Sequence, residues 1–245
     1  IKNERNKTVD NISRLLSGNP GLLDNKNREI FRDSFFYLKG KGMSADELYQ
    51  DMLKLIFNNA VSGAQLHIES LKGTDREIGL RVGDTEEYFG CINVGDDSKL
   101  IKLCDDIGLS TEKRFFSQSL FQMINEENSP INVLIGSKKF TEGWSSWRVS
   151  TMGLMNMGRN EGSEVIQLFG RGVMLKGYEF CLKRSNRAEN IPESLLPRKF
   201  RKVIAAVETL NIFGVRADYM QQFKEYLEEE GVSYPENKFS FVMPT

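Results

Sequence analysis

The chain has 245 residues, of which 40% are hydrophobic and 27% are charged, and its net charge at pH 7 is −1. This composition is typical of a globular protein with one large domain, or one domain with an appendage. The small net charge excludes a whole-surface attraction to nucleic acid, so any such contact needs a local basic patch. No run of about 18 apolar residues is present, and the sequence therefore predicts no membrane-spanning helix.

The cysteines indicate the redox compartment of the protein, and the first residue indicates whether the sequence is part of a longer chain. Cys91, Cys104 and Cys181 are odd in number and widely spaced, so they indicate neither a zinc site nor a disulfide framework. No secretory signal precedes them, and a reducing, cytoplasmic setting is the simplest interpretation. The chain begins at Ile1 rather than Met, and we therefore expect it to be part of a longer protein.

The first sixty residues are predicted to be helical. Apolar positions within residues 9–16 keep helical spacing, and residues 19–21, Asn-Pro-Gly, end that helix. A second predicted helix covers residues 30–40. Ser44 and Glu47 have the spacing of a capping box, which predicts the start of a third helix.

The apolar pattern changes period in residues 65–94. Three runs of alternating residues, separated by short turns, predict an antiparallel meander of about three strands. We expect this meander, at about residues 60–95, to be inserted into an α/β domain. His67, the only histidine, lies on the polar face of the first run and is interpreted as a solvated strand residue rather than a catalytic one.

Helices and apolar strands alternate further along the chain. Residues 100–107 predict a helix with Gly108 just after its end, and another helix is expected near residues 117–126. Residues 131–135 and 149–156 are short and apolar, as buried parallel strands are. Ser163 is predicted to cap the next helix, and this order indicates a doubly wound parallel sheet.

The region after residue 185 is predicted to be mostly helical. An apolar stripe within residues 203–210 has helical spacing. Residues 197–202, Pro-Arg-Lys-Phe-Arg-Lys, form a basic cluster. We interpret it as a solvated face, with phosphate contacts as the open alternative.

The loop at residues 136–145 is the first candidate for a binding site. It leaves the carboxyl end of a predicted parallel strand, which is where ligands bind in open α/β sheets. The loop combines small, hydroxyl and basic residues, and Gly143 permits a close approach of the backbone. This combination predicts a phosphate contact.

The helix that follows Ser163 is the second candidate. Gln167, Arg171 and Met174 are spaced so that they face one direction. Gly170 and Gly172 flank the arginine, although each glycine costs a helix about 1 kcal/mol relative to alanine. The pattern indicates a helix end that must approach something closely, with an arginine suited to a transferring phosphoryl group.

Together, residues 137–145 and 167–174 resemble the fifth and sixth motifs of superfamily 2 helicases. The resemblance is closest to the restriction subunit of type III restriction enzymes, in which a Glu-Gly-Trp loop precedes a Gln-x-x-Gly-Arg helix. It is specific over residues 131–178 and elsewhere depends only on the order of elements. It implies the C-terminal RecA-like domain of an ATP-dependent helicase or translocase acting on nucleic acid, with DNA preferred to RNA.

The resemblance also implies a cofactor and partners. ATP and Mg²⁺ would be held mainly by an N-terminal RecA-like domain outside this sequence, which itself contains no phosphate-binding loop. A methyltransferase or another restriction or defence subunit is a further implied partner. The implied fold is α/β, with a RecA-like parallel sheet flanked by helices in residues 1–184. The β insertion lies within this domain, and a helical extension follows in residues 185–245.

Site roles carry over by position. Arg171 matches the first arginine finger and Gln167 the first polar residue of the sixth motif, so both are expected to be catalytic. Residues expected to bind the nucleotide are Glu142, Gly143 and Ser145. Residues expected to bind nucleic acid are Ser137, Lys138, Lys139 and Thr141.

Two positions depart from the family. Ser145 stands where an aspartate is usual, which weakens the nucleotide contacts assigned to it. Met174 stands where the second arginine is usual, and methionine cannot stabilise phosphate charge. The alternative function is therefore a catalytically degenerate scaffold that binds nucleic acid without hydrolysing ATP.

Overall fold

The computed structural model describes residues 4–23, 26–32, 35–140, 143–155, 162–172, 177–181 and 183–215. These residues form two compact units, the first ending at Lys138 and the second beginning at Lys139. The domain boundary predicted near residue 185 lies within the second unit and stays a prediction. No helix in the described ranges has the length and apolar character needed to cross a membrane.

Three helices begin the first unit: α1 at Arg5–Ser17, α2 at Phe36–Gly40 and α3 at Ala45–Phe57. The predicted capping box of α3 is confirmed, because Glu47 N donates to Ser44 Oγ (3.2 Å) and Ser44 N donates to Glu47 Oε2 (2.7 Å). The predicted second helix is too long. Residues 26–32 form turns instead, with Ile30 N donating to Leu22 O across a short bridge (2.9 Å).

One five-stranded sheet organises the rest of this unit. The strands are β1 Leu66–Lys72, β2 Ile78–Val82, β3 Gly90–Asn93, β4 Ser110–Phe115 and β5 Val133–Gly136. Their order is β4-β1-β2-β3-β5, with antiparallel pairs β1–β2 and β2–β3 and parallel pairs β1–β4 and β3–β5. Four strands therefore run in one direction and β2 runs against them.

The sheet confirms a mixed α/β class and corrects two expectations. The antiparallel meander exists, but it forms the centre of the sheet instead of a separate insertion. The strand predicted at residues 131–135 is parallel but is not fully buried, since β5 has a single neighbour in the described sheet and Ile135 is 46% exposed. The highly charged β4 was not predicted as a strand.

Helix α4, Asp97–Asp106, packs on the sheet. Cys104 contributes to a buried cluster with Ile68, Leu80 and Phe89, and Leu100 and Ile101 pack against it. Gly108 has φ +75° just after the helix, as predicted. A short helix α5, Leu120–Met123, follows at the predicted place.

The second unit has a small sheet of its own. It consists of two parallel strands, β6 at Thr151–Met155 and β7 at Asn211–Val215. The unit also contains two helices, α6 at Gly162–Gly172 and α7 at Arg198–Val207. Leu154 and Phe169 form the buried centre. The parallel strand predicted at residues 149–156 is confirmed, but it pairs with β7 and not with β5.

One further expectation for this unit is wrong. Ser163 lies inside α6, which begins at Gly162, so it is not the N-cap residue. The helical extension predicted for residues 185–245 is described only to residue 215, where α7 is followed by strand β7. Residues 216–245 lie outside the described residues, and for them the helical extension stays a prediction.

Candidate functional site

The two candidate segments meet in the second unit. Arg171 lies in the last turn of α6, and its Nη1 donates a hydrogen bond of 2.7 Å to the backbone carbonyl of Trp144. Its guanidinium is partly buried, whereas Gln167, one turn earlier, is exposed. The segments that the sequence singled out independently are therefore in direct contact.

The loop that receives Arg171 is held by its own side chains. The rings of Phe140 and Trp144 pack edge to face, with centroids 5.0 Å apart. Ser146 is buried, and its Oγ accepts a hydrogen bond of 3.1 Å from Arg148 N. These contacts fix the ends of a turn that leaves Gly143 and Ser145 exposed.

Gly143 fits the close approach predicted for it. Its φ is +98°, in the region that favours glycine, and no described residue other than its chain neighbours has an atom within 4 Å of the place where a Cβ would be. Gly143 itself is exposed to solvent. Glu142 and Thr141, the neighbouring candidates, lie outside the described residues, as does Met174.

The two glycines beside Arg171 have different surroundings. A Cβ on Gly172 would lie 2.8 Å from Met152 Cε and 2.9 Å from Leu210 Cδ2, whereas a Cβ on Gly170 would have no atom within 4 Å in the part of the chain that the structure describes. The close approach that the glycines predicted is thus made at Gly172, to the unit's own core. Gly172 permits α6 to pack on β6 and needs no ligand to explain it.

Of the remaining candidates, Ser137 and Lys138 belong to the first unit and Lys139 begins the second. Ser137 follows β5, is exposed, and donates its backbone N–H to Asn93 O (3.3 Å). Lys138 begins a short 3₁₀-helix, Lys138–Phe140, in which Lys139 is half-buried. The residue that accepts the Arg171 hydrogen bond is none of these three. Arg171 is joined to the loop through Trp144, a residue to which the sequence assigned no role.

A second polar cluster, unrecognised from the sequence, lies in the first unit. Glu69 on β1 is fully buried although its strand face was predicted to be polar and solvated. Its Oε1 accepts from Arg81 Nε (2.5 Å) and its Oε2 from Tyr88 OH (2.6 Å). Arg114 Nη1 lies 3.6 Å from Oε2 and also pairs with Glu86.

The partners of Glu69 control its protonation. Burial alone would raise the pKa of Glu69, but the hydrogen bonds from Tyr88 and Arg81 and the positive charges of Arg81 and Arg114 outweigh burial, so the pKa is lowered. Burial and the hydrogen bond to Glu69 raise the pKa of Tyr88. The carboxylate therefore stays charged and the phenol stays a donor, which suits a structural tie between strands.

The same face also holds His67. It is half-buried rather than solvated, and its Nδ1 has no hydrogen-bond partner among the described residues. Those residues also contain no group of three or more side chains able to hold a metal ion.

Comparison with known proteins adds no relative. No family model, no curated protein and no solved structure matches this chain.

Proposed function

We propose that this chain contains the C-terminal RecA-like domain of an ATP-dependent nucleic-acid helicase or translocase of restriction-enzyme type. The observation that carries the proposal is the hydrogen bond from Arg171 to Trp144. It supports the proposal because it joins the two segments that resemble the fifth and sixth helicase motifs. DNA is the preferred nucleic acid on the same resemblance.

The surroundings of Gly143 fit a nucleotide. The open backbone at its positive φ allows a phosphate or ribose to come close, which a side chain would hinder. Glu142, Gly143 and Ser145 would hold the nucleotide from this side, and ATP would supply the phosphoryl group that is transferred to water. Mg²⁺ would be held by the partner domain.

Arg171 would act on the phosphate in the closed, two-domain state. Its guanidinium is always charged and planar, and it can spread positive charge over a transferring phosphoryl group. The bond to Trp144 O holds this side chain at the end of α6. Positioning before the reaction reduces the reorganisation that the transition state would otherwise require.

Nucleic acid would run along the residues before this loop. Ser137, Lys138, Lys139 and Thr141 offer hydroxyl and ammonium donors for backbone phosphates. Closure of the cleft by ATP and its reopening after hydrolysis would move the two domains along the strand.

The decisive experiment replaces Arg171 in the full-length protein. Arg171→Ala should reduce DNA-stimulated ATP hydrolysis by about a hundredfold or more, because arginine fingers contribute at least that much to kcat. DNA binding should remain largely intact. Arg148→Ala, an exposed arginine just beyond the same loop, is the matched control and should hydrolyse ATP at the wild-type rate. Unchanged turnover in Arg171→Ala would contradict the proposal.

A second candidate function is favoured by Met174. A scaffold that binds nucleic acid without hydrolysis would not need the second arginine of the sixth motif. Met174→Arg in the full-length protein separates the two functions. A large gain in ATP hydrolysis would indicate a motor weakened at one position, and no gain over a negligible basal rate would favour the scaffold.

A further inference from the structure

Positive charge is concentrated between residues 183 and 201 of the second unit. This segment contains six Lys and Arg residues against two Glu, in a chain whose net charge is −1. The basic residues are Lys183, Arg184, Arg187, Arg198, Lys199 and Arg201. Such a segment is the local basic patch that the overall composition requires for any contact with a polyanion.

Arg201 has a structural role within this segment. Its Nη1 donates to Ala188 O (3.3 Å) and its Nη2 donates to Ile191 O (3.0 Å). The guanidinium thereby ties the loop before α7 to the middle of that helix. Arg201 is partly buried, and its charge is directed at the loop's backbone.

Two further ties extend this attachment along the helix. At the C-terminal end of α7, Glu208 Oε1 accepts a hydrogen bond from Ser185 N (3.0 Å). At the N-terminal end, Glu193 Oε1 accepts one from Arg198 N (2.8 Å). The loop therefore runs antiparallel to α7 over its whole length, which is about 15 Å for ten residues.

This arrangement leaves the other five cations at the surface. Lys183, Arg184, Arg187, Arg198 and Lys199, which we name the basic strip, are all exposed. In the described part of the chain only Arg198 of these forms an ion pair, at 3.7 Å from the exposed Glu193, and such pairs are weak. The attached loop thus holds the strip's charges beside a rigid helix without neutralising most of them.

An aromatic side chain adjoins the strip. Phe200 is 41% exposed, and Lys199 Nζ lies 4.9 Å from the centre of its ring. Aromatic rings beside basic side chains are typical of surfaces that bind single-stranded nucleic acid, where bases stack while cations contact phosphates.

We propose that the basic strip binds the phosphodiester backbone of single-stranded nucleic acid. It is distinct from the Ser137–Thr141 track and would add a second contact along α7. This inference rests on the proposed function in one respect, the choice of nucleic acid as the ligand. The geometry of the strip does not depend on ATP hydrolysis.

The test compares two triple variants of the 245-residue chain. Arg184→Ala, Arg187→Ala and Lys199→Ala remove three cations of the strip. Lys39→Ala, Lys54→Ala and Lys102→Ala remove three exposed lysines of α2, α3 and α4 and change the net charge equally. Circular dichroism establishes that both variants are folded.

Binding is measured by fluorescence anisotropy with a labelled single-stranded oligonucleotide at several salt concentrations. The strip variant should bind about tenfold or more weakly, and the slope of log affinity against log salt should shrink by about 2, since each phosphate contact contributes about 0.7. The lysine control should keep the wild-type affinity and slope. Equal losses in both variants, no loss in the strip variant, or no binding by the wild type would overturn the inference.

Two further outcomes separate the possibilities. Binding to phosphatidylserine vesicles without binding to the oligonucleotide would assign the strip to an anionic membrane and overturn the proposal. If the strip variant loses oligonucleotide binding while Arg171→Ala hydrolyses ATP normally, the motor proposal fails and the strip stands. If Arg171→Ala loses hydrolysis and the strip variant binds normally, only the strip is refuted.

Discussion

Arg171 and Trp144 lie 27 residues apart in the chain and are joined by a hydrogen bond of 2.7 Å from Nη1 to the backbone carbonyl. A charged donor to a partly buried carbonyl stabilises both the end of α6 and the turn that receives it. The same bond therefore has a structural consequence, which is measurable in the isolated chain, and a proposed catalytic one, which needs the partner domain.

The structural consequence is tested by Arg171→Met, which keeps the apolar stem and removes the donor. We expect the second unit to lose about 1.5–3 kcal/mol of unfolding free energy, as for other hydrogen bonds to charged groups. Gln167→Ala, on an exposed position of the same helix, is the control and should change stability by less than about 0.5 kcal/mol.

Fluorescence localises that effect to the loop. Trp144 and Trp147 are the two tryptophans of the chain, and Trp147 is half exposed. With Trp147→Phe as the background, the emission of Trp144 should shift when Arg171 is replaced and not when Gln167 is replaced. An unshifted spectrum together with unchanged stability would mean that the bond does not hold the loop.

Replacement of the glycines on either side of Arg171 should change the stability of the second unit in opposite directions. Gly172→Val should destabilise the second unit by about 1–3 kcal/mol, because its side chain would overlap Met152 and Leu210. Gly170→Ala should stabilise it by up to about 1 kcal/mol, since the position is open and alanine favours helix. Thermal unfolding measures both, and equal responses would contradict the packing described for Gly172.

A comparison of Gly143 with Gly153 separates the effect of backbone conformation on stability from the effect of the space available for a Cβ. Chain neighbours aside, no described residue has an atom within 4 Å of the place where a Cβ on either glycine would be, and of the two only Gly143 has a positive φ. Gly143→Ala should cost about 1–2 kcal/mol, because an alanine in the left-handed region brings its Cβ close to the following carbonyl. Gly153→Ala should be nearly neutral. Chemical denaturation of the two variants makes the comparison, and a neutral Gly143→Ala would argue against the turn geometry.

The buried carboxylate of Glu69 should make the first unit sensitive to acid. Its pKa is lowered from an ordinary value of 4.5, so its contribution is present above about pH 4.5 and is lost as the pH falls below that value. Glu69→Gln should cost about 3 kcal/mol or more at pH 7, because it leaves Arg81 in a buried site without its counter-ion.

Glu86→Gln is the matched control for Glu69. Both carboxylates face Arg114, but the Glu86 side chain is 70% exposed and its loss should cost less than about 1 kcal/mol. Urea titrations between pH 3 and pH 7 should show a smaller pH dependence in Glu69→Gln than in the wild type or in Glu86→Gln. The same pH dependence in all three proteins would assign the acid sensitivity to other groups.

Sequence patterns predicted best the features that depend on neighbouring residues. The end of α1, the capping box of Ser44 and Glu47 that begins α3, and the turn at Gly108 were all predicted, because caps and turns involve contacts within a few residues. The meander of β1, β2 and β3 was predicted for the same reason, since short turns join its strands.

Features that depend on distant pairing were predicted less well. Strand β4 is highly charged and shows little alternation, and its partner β1 lies about forty residues earlier in the chain. Glu69 has the sequence appearance of a solvated strand position, and its burial depends on Arg81, Tyr88 and Arg114 closing over it.

By itself, the sequence determined the α/β class, the capped helices and the two segments in which an arginine and a glycine-containing loop indicate phosphate chemistry. Only the tertiary structure decided that Arg171 meets the loop at Trp144, that Gly172 serves packing, and that β6 pairs with β7. The physical reason is range: caps and turns are local, whereas these contacts join parts of the chain that only folding brings together.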